Sequence, residues 1–182
     1  PLPDAIGRLL AFAFGPLLGI GFLGLFHLIA THRDGPALRF GVAFALMAGV
    51  AVTTMLVVQV GNNMFLESQL AAAESESVKE AARLAHRSVN QVQILIDVVW
   101  DIFICGAGIC VGWAMLRHPG FGRVFGWSGI IASALLLYFN LDTFPMPPAN
   151  AGSIDLGPLV AVWMLVVFAR SLWLARQMKQ AD

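Results

Sequence analysis

Ser88-Val-Asn-Gln-Val-Gln-Ile-Leu-Ile-Asp97-Val-Val-Trp-Asp101-Ile-Phe-Ile-Cys105 is an apolar run that carries two carboxylates. Continued to Leu116, it is long enough to cross a hydrocarbon core of about 30 Å as a helix. Asp97 and Asp101 stand four residues apart, so on that helix they share one face. Ionisable groups inside a bilayer are expensive and mark a functional site or a buried pairing site. His86, Asn90, Gln93, Asp97 and Asp101 follow one another at helical spacing, and Cys105, Gly108 and Gly112 continue the same line with small side chains. One face of the helix therefore changes from polar to close-packing along its length. That pattern predicts a vestibule open at one end and closed at the other, with Asp101 near the middle of the span.

The rest of the composition fits such a helix. Of 182 residues, 58% are hydrophobic and 12% charged, and the mean hydropathy is +0.77. Soluble domains carry roughly 25% charged residues, so the chain reads as a polytopic membrane protein. Its formal net charge is zero, which gives no electrostatic footprint for a nucleic-acid partner. Cys105 and Cys110 point about 140° apart on a helix, so they read as two small buried thiols rather than a disulfide.

Four further apolar runs flank the first. The predicted fold is an all-α transmembrane bundle, a single domain of five spans at about residues 9–30, 40–65, 90–116, 124–141 and 156–175. A start at Pro1 without an initiator Met leaves room for a sixth span upstream. Residues 67–90 form the one long hydrophilic stretch, rich in Ala, Glu and Arg, which favours helix outside the membrane. Ser77-Val-Lys-Glu80 reads as a capping box, predicting one long helix from Ser77 to Leu116. Small residues recur every third or fourth position in four spans: Ala11, Gly15 and Gly19; Gly41, Ala45, Gly49 and Thr53; Gly108 and Gly112; Gly126, Gly129 and Ser133. Such seams let neighbouring helices approach closely. Pro16 is expected to kink the first span, and His27 to hydrogen-bond near its end. Trp163 and Trp173 fit lipid-facing or interfacial positions, and Arg170 can extend to the headgroups. The Pro-rich stretch from Asn140 to Ser153 forbids regular structure and is expected to cap the bundle.

Basic residues set the expected orientation. Arg33, Arg39, Arg117, Arg123, Arg170, Arg176 and Lys179 fall at one end. Arg8, Lys79, Arg83 and Arg87 fall at the other, together with most of the acids: Asp4, Glu67, Glu74, Glu76, Glu80, Asp142 and Asp155. The first end is expected to be cytoplasmic, with the C-terminus inside and the 67–90 segment and 142–155 loop outside. The expected location is a cell membrane, in a bacterium the inner one.

Collecting the polar residues within or beside the spans gives the candidate ligand-binding set: Asp97, Asp101, Gln93, Asn90, Gln59, Asn62, Asn63 and Tyr138. No Lys or Arg occurs at the depth of the two aspartates, so the pair is expected to hold a proton or a cation. No His-Glu-x-x-His, Cys-x-x-Cys, phosphate-binding Gly loop or Gly-x-Ser-x-Gly occurs, so no catalytic residue and no cofactor are assigned. A metal would have to be held by His86 with outer carboxylates.

The stretch Val111-Gly-Trp-Ala-Met-Leu-Arg-His-Pro-Gly-Phe-Gly-Arg-Val-Phe-Gly-Trp-Ser-Gly129, a short basic turn followed by a Gly-rich span, resembles the DUF4386-like bacterial integral membrane proteins. So does the long hydrophilic segment before the third span. The resemblance implies an integral membrane protein and no mechanism. The leading expectation is a non-enzymatic membrane protein with an outward-facing polar pocket around Asp97 and Asp101, taking a small ligand or cation and open to proton coupling. One alternative is an accessory subunit that joins a homo-oligomer or a larger membrane complex through its small-residue seams, its other partner being the lipid bilayer. The second alternative is an intramembrane hydrolase or transferase using the aspartate pair, for which His86 or Asn62 would have to stand beside it.

Overall fold

The computed structural model describes residues 2–181. The chain folds as five α-helices joined by short connections: α1 Leu2–Ala30, α2 Pro36–Ala72, α3 Glu76–Met115, α4 Gly122–Thr143 and α5 Gly157–Ala181. No strand occurs among the described residues. All five helices are long and apolar enough to cross a membrane, as a multi-pass protein requires. The side chains of Asp4 and Lys179, which enter the charge count above, lie outside the described residues. So does any span upstream of Pro1.

Local sequence sets each boundary. Asp34-Gly35-Pro36 breaks the chain between α1 and α2, with Pro36 in the first turn of α2, where its missing N–H costs nothing. Arg39 closes back on Asp34 with Nε 3.1 Å from Oδ1, and this pairing holds the exposed Asp34 carboxyl below its ordinary range. The hydrophilic stretch 67–90 is divided between two helices. α2 runs on to Ala72, residues 73–75 make the turn, and α3 starts at Glu76. The cap is Ser75, whose Oγ accepts from the Val78 N–H at 3.4 Å. Ser77, expected as the cap, instead lies inside α3 with its Oγ 2.9 Å from that of Ser75. α2 and α3 thus form one long antiparallel hairpin, and α3 rises about 30 Å beyond Asp97. α1 runs helical through Pro16.

The small-residue seams pack within the chain. A side chain at Gly15 would collide with Thr53 and the Gly49 backbone, one at Gly108 with Ser133, one at Gly112 with the Gly126 carbonyl, and one at Gly129 with the Trp163 ring. Trp163 is only 8% exposed and donates from Nε1 to the Phe125 carbonyl at 3.0 Å. The expectation that it faces lipid is therefore corrected: the missing side chain at Gly129 opens a slot for the indole inside the bundle. Trp173 does lie outward, with the Arg170 guanidinium 4.0 Å over its ring. Val50 and Val124, 69% and 79% exposed, belong to an apolar outer surface of the kind lipid covers.

The core lies toward the end that carries the turns 31–35 and 116–121. It is built from Phe22, Leu25 and Ile29 of α1, Leu38 and Ala45 of α2, Ile104, Cys105, Ala107, Val111 and Met115 of α3, Leu136 of α4 and Val167 of α5. Above Ile104 the apolar packing thins to Val52 of α2, Val98 of α3 and the contact of Phe14 with Trp100. That is where the site forms.

Candidate functional site

α3 and α4 run antiparallel, with Gly112 against Gly126 and Gly108 against Ser133. This register brings Asp101 to Asn140. The Asn140 amide donates from Nδ2 to Asp101 Oδ2 at 3.0 Å and to the Leu136 carbonyl at 3.1 Å. Two acceptors on one nitrogen fix the amide's orientation. Asn140 is fully buried, and its Oδ1 has no hydrogen-bond partner. Such an atom is costly unless something donates to it.

The register also places the pair along α4. Asn140 is three residues from the end of α4. Asp101 therefore stands level with the last turn of α4, beside the connection that follows it.

A recess of about 460 Å³ opens beside the two aspartates. Its α3 wall is Asn90, Gln93, Ile94, Asp97, Trp100 and Asp101. The Pro-rich connection supplies the facing wall with Pro147, Pro148, Ala149 and Asn150, and Asp155 stands at its rim. That connection is folded by its own hydrogen bonds, with the Ser153 N–H on the Pro148 carbonyl at 2.8 Å and the Met146 N–H on the Thr143 carbonyl at 3.0 Å. Pro147 and Pro148 are buried. Asp155 accepts the Gly157 N–H at 2.8 Å and so caps α5 while facing the recess. Trp100 stacks edge-on against Phe14 of α1, with centroids 6.0 Å apart. Below the recess, Cys105 and Leu136 are sealed.

The carboxylates of Asp97, Asp101 and Asp155 thus share one recess that no Lys or Arg lines. Asp97 is half-buried, and among the described residues no side chain or backbone group bonds it. No set of three His, Cys, Asp or Glu among the described residues is arranged to hold a metal ion.

Of the expected set, the recess gathers Asn90, Gln93, Asp97 and Asp101. Gln59, Asn62, Asn63 and Tyr138 lie elsewhere. Asn62 donates to the His86 carbonyl at 3.0 Å, and the Asn63 Oδ1 is 3.0 Å from His86 Nε2. Both asparagines therefore tie α2 to α3 farther up the hairpin, about 16 Å beyond Asp97. His86 is engaged there rather than beside the aspartates. Gln59 is exposed on α2. Tyr138, 60% exposed, points away because two residues on a helix turn about 200°, and Asn140 takes the inward side. Trp100, Pro147 to Asn150 and Asp155 were not among the expected site residues. For Trp100 the signal was present, since it sits three residues from Asp97 on the same helix face.

Comparison with family models, with curated proteins and with solved structures finds no match to this chain.

Proposed function

We propose that this is a non-enzymatic membrane protein that takes a small cationic ligand into the recess beside Asp97 and Asp101. The observation that carries the reading is the company of the carboxylates: three acids and several amides line one recess with no basic residue among them. Charges of one sign gathered without a partner repel one another, and a cation entering from water relieves that repulsion. The site lies at the boundary of the bundle, where a carboxylate keeps part of its hydration. It is closed below by packed side chains, so a ligand enters and leaves by the same mouth. Exchange of the bound cation for protons would couple occupancy to pH.

The mouth faces the hairpin end. Arg33, Arg39, Arg117, Arg123, Arg170 and Arg176 cluster at the opposite end, and we assign that end to the cytoplasm of a bacterial inner membrane by the positive-inside rule. The recess then faces outward. A single cysteine placed at Ser88 in a chain with Cys105 and Cys110 replaced by Ala tests the direction. A membrane-impermeant maleimide added to intact cells should label it, and protection until lysis would reverse the assignment. The binding itself is tested by thermal unfolding of the purified chain in neutral-lipid nanodiscs, with and without small cations. The expected result is a cation that raises the midpoint of the wild type and raises that of Asp97→Asn far less. Equal shifts in both proteins would overturn the reading.

A further inference from the structure

We propose that the recess is built for a linear aliphatic diamine or polyamine, whose ammonium groups carry N–H donors, rather than for a metal ion or a quaternary ammonium. The inference rests on the reading of the recess as a cation site and adds the chemical class.

The first argument is the hydrogen-bonding chemistry of the wall. Asp97, Asp101 and Asp155 present carboxylate oxygens and Asn90, Gln93 and Asn150 present amides on one recess, a lining rich in acceptors. Primary and secondary ammonium groups bring donors, whereas a quaternary ammonium brings none. The second is the scarcity of aromatic rings. Quaternary ammonium ligands are recognised by cages of aromatic rings. Here Trp100 is the sole aromatic among the lining residues, and the rest of the polar wall is carboxylate and amide, acceptors for N–H. The third is spacing. Carboxylates four residues apart on a helix stand roughly 5–6 Å apart at Cβ, the span of a diamine with a four-carbon backbone. One ammonium would sit at Asp101 and the other at Asp97. A longer polyamine would extend toward Asp155 at the rim, with its methylenes along Trp100. A bare metal ion fits less well, since no three His, Cys, Asp or Glu among the described residues converge on one point.

The test is calorimetric titration of the full chain in phosphatidylcholine nanodiscs, which remove acidic headgroups as competitors. The probes are 1,4-diaminobutane, spermidine, tetramethylammonium and magnesium. The expected result is binding of the two amines with at least tenfold weaker affinity in Asp97→Asn, spermidine alone weakened by Asp155→Asn, and no binding of the other two. Asp155 is exposed, and Asn keeps the oxygen that caps α5, so this second variant retains the fold if Asp97→Asn does not. Tetramethylammonium or magnesium binding as tightly as the amines, and weakened by the same variants, would overturn the class and leave the cation site standing. Amine binding unchanged in both variants, or no binding by any probe, would overturn both.

Discussion

Among the described residues Asp101 keeps a single donor, the amide of Asn140, and the pair joins α3 to α4 at the floor of the recess. Replacing Asn140 with Leu removes that donor and the bond to the Leu136 carbonyl together. The expected loss is about 1–3 kcal/mol, the usual cost of stranding a buried polar group, read as a lower midpoint of unfolding in detergent. Tyr138→Leu, two residues away on the lipid side, should stay within about 0.5 kcal/mol. Equal effects at the two positions would contradict the inward and outward assignment. At the opposite end, His118 is buried and takes the Gly120 N–H on Nδ1 at 3.0 Å, with the His32 ring 4.5 Å away. Burial, and then the neighbouring His32, hold its pKa below the ordinary 6.5. A histidine depressed in the fold contributes stability that is complete above pH 6.5. Below that value the unfolded chain takes up the proton first, so stability falls with pH until the folded form protonates as well. The unfolding midpoint should therefore drop as pH is lowered from 6.5, and His118→Gln should flatten that slope. A slope that persists unchanged in the variant would assign it to other groups.

At the scale of the helices, glycine decides which faces meet. An added methyl at Gly129 would run into the Trp163 ring, while at Gly24 it would meet open space. Gly129→Ala should cost about 1–3 kcal/mol through overpacking and displacement of the indole. Gly24→Ala should be neutral or stabilising by up to about 1 kcal/mol. Thermal unfolding of the two variants side by side checks this, and a stable Gly129→Ala would mean that α4 and α5 do not pack through this slot. The existence and order of the five helices were legible as apolar runs separated by Asp-Gly-Pro and Pro-Gly turns. The line of Asn90, Gln93, Asp97 and Asp101 was legible because from Val92 onward α3 carries its polar residues on one side only. Rotation of the other helices was not. α2 and α4 are apolar toward lipid as well as toward neighbours, so they carry little amphipathic signal to say which way Gln59 or Tyr138 points. The cap of α3 was misplaced by two residues because Ser75 and Ser77 offer the same chemistry.

For the molecule as a whole, the decisive feature is that the apolar core thins above Ile104 while α2 and α3 continue. α4 and α5 end near this level and are bridged by a Pro-rich connection that folds over the gap. The partner of Asp101 and the facing wall were not readable from sequence. Both depend on the register of α3 against α4, and the small-residue repeats within each helix do not say which member of one seam meets which of the other, as Gly108 meets Ser133 and Gly112 meets Gly126. The resulting arrangement gathers carboxylates at the boundary of the bundle with no cation of the protein's own to balance them. Whether Asp97 binds a cation from solution tests this most directly. The measurement is the unfolding midpoint of wild type and Asp97→Asn in neutral-lipid nanodiscs, titrated with 1,4-diaminobutane. The account predicts a wild-type rise that grows with the logarithm of ligand concentration, corresponding to about 2.7 kcal/mol at a hundred times the dissociation constant, and little rise in the variant. Identical titrations of the two proteins would contradict it.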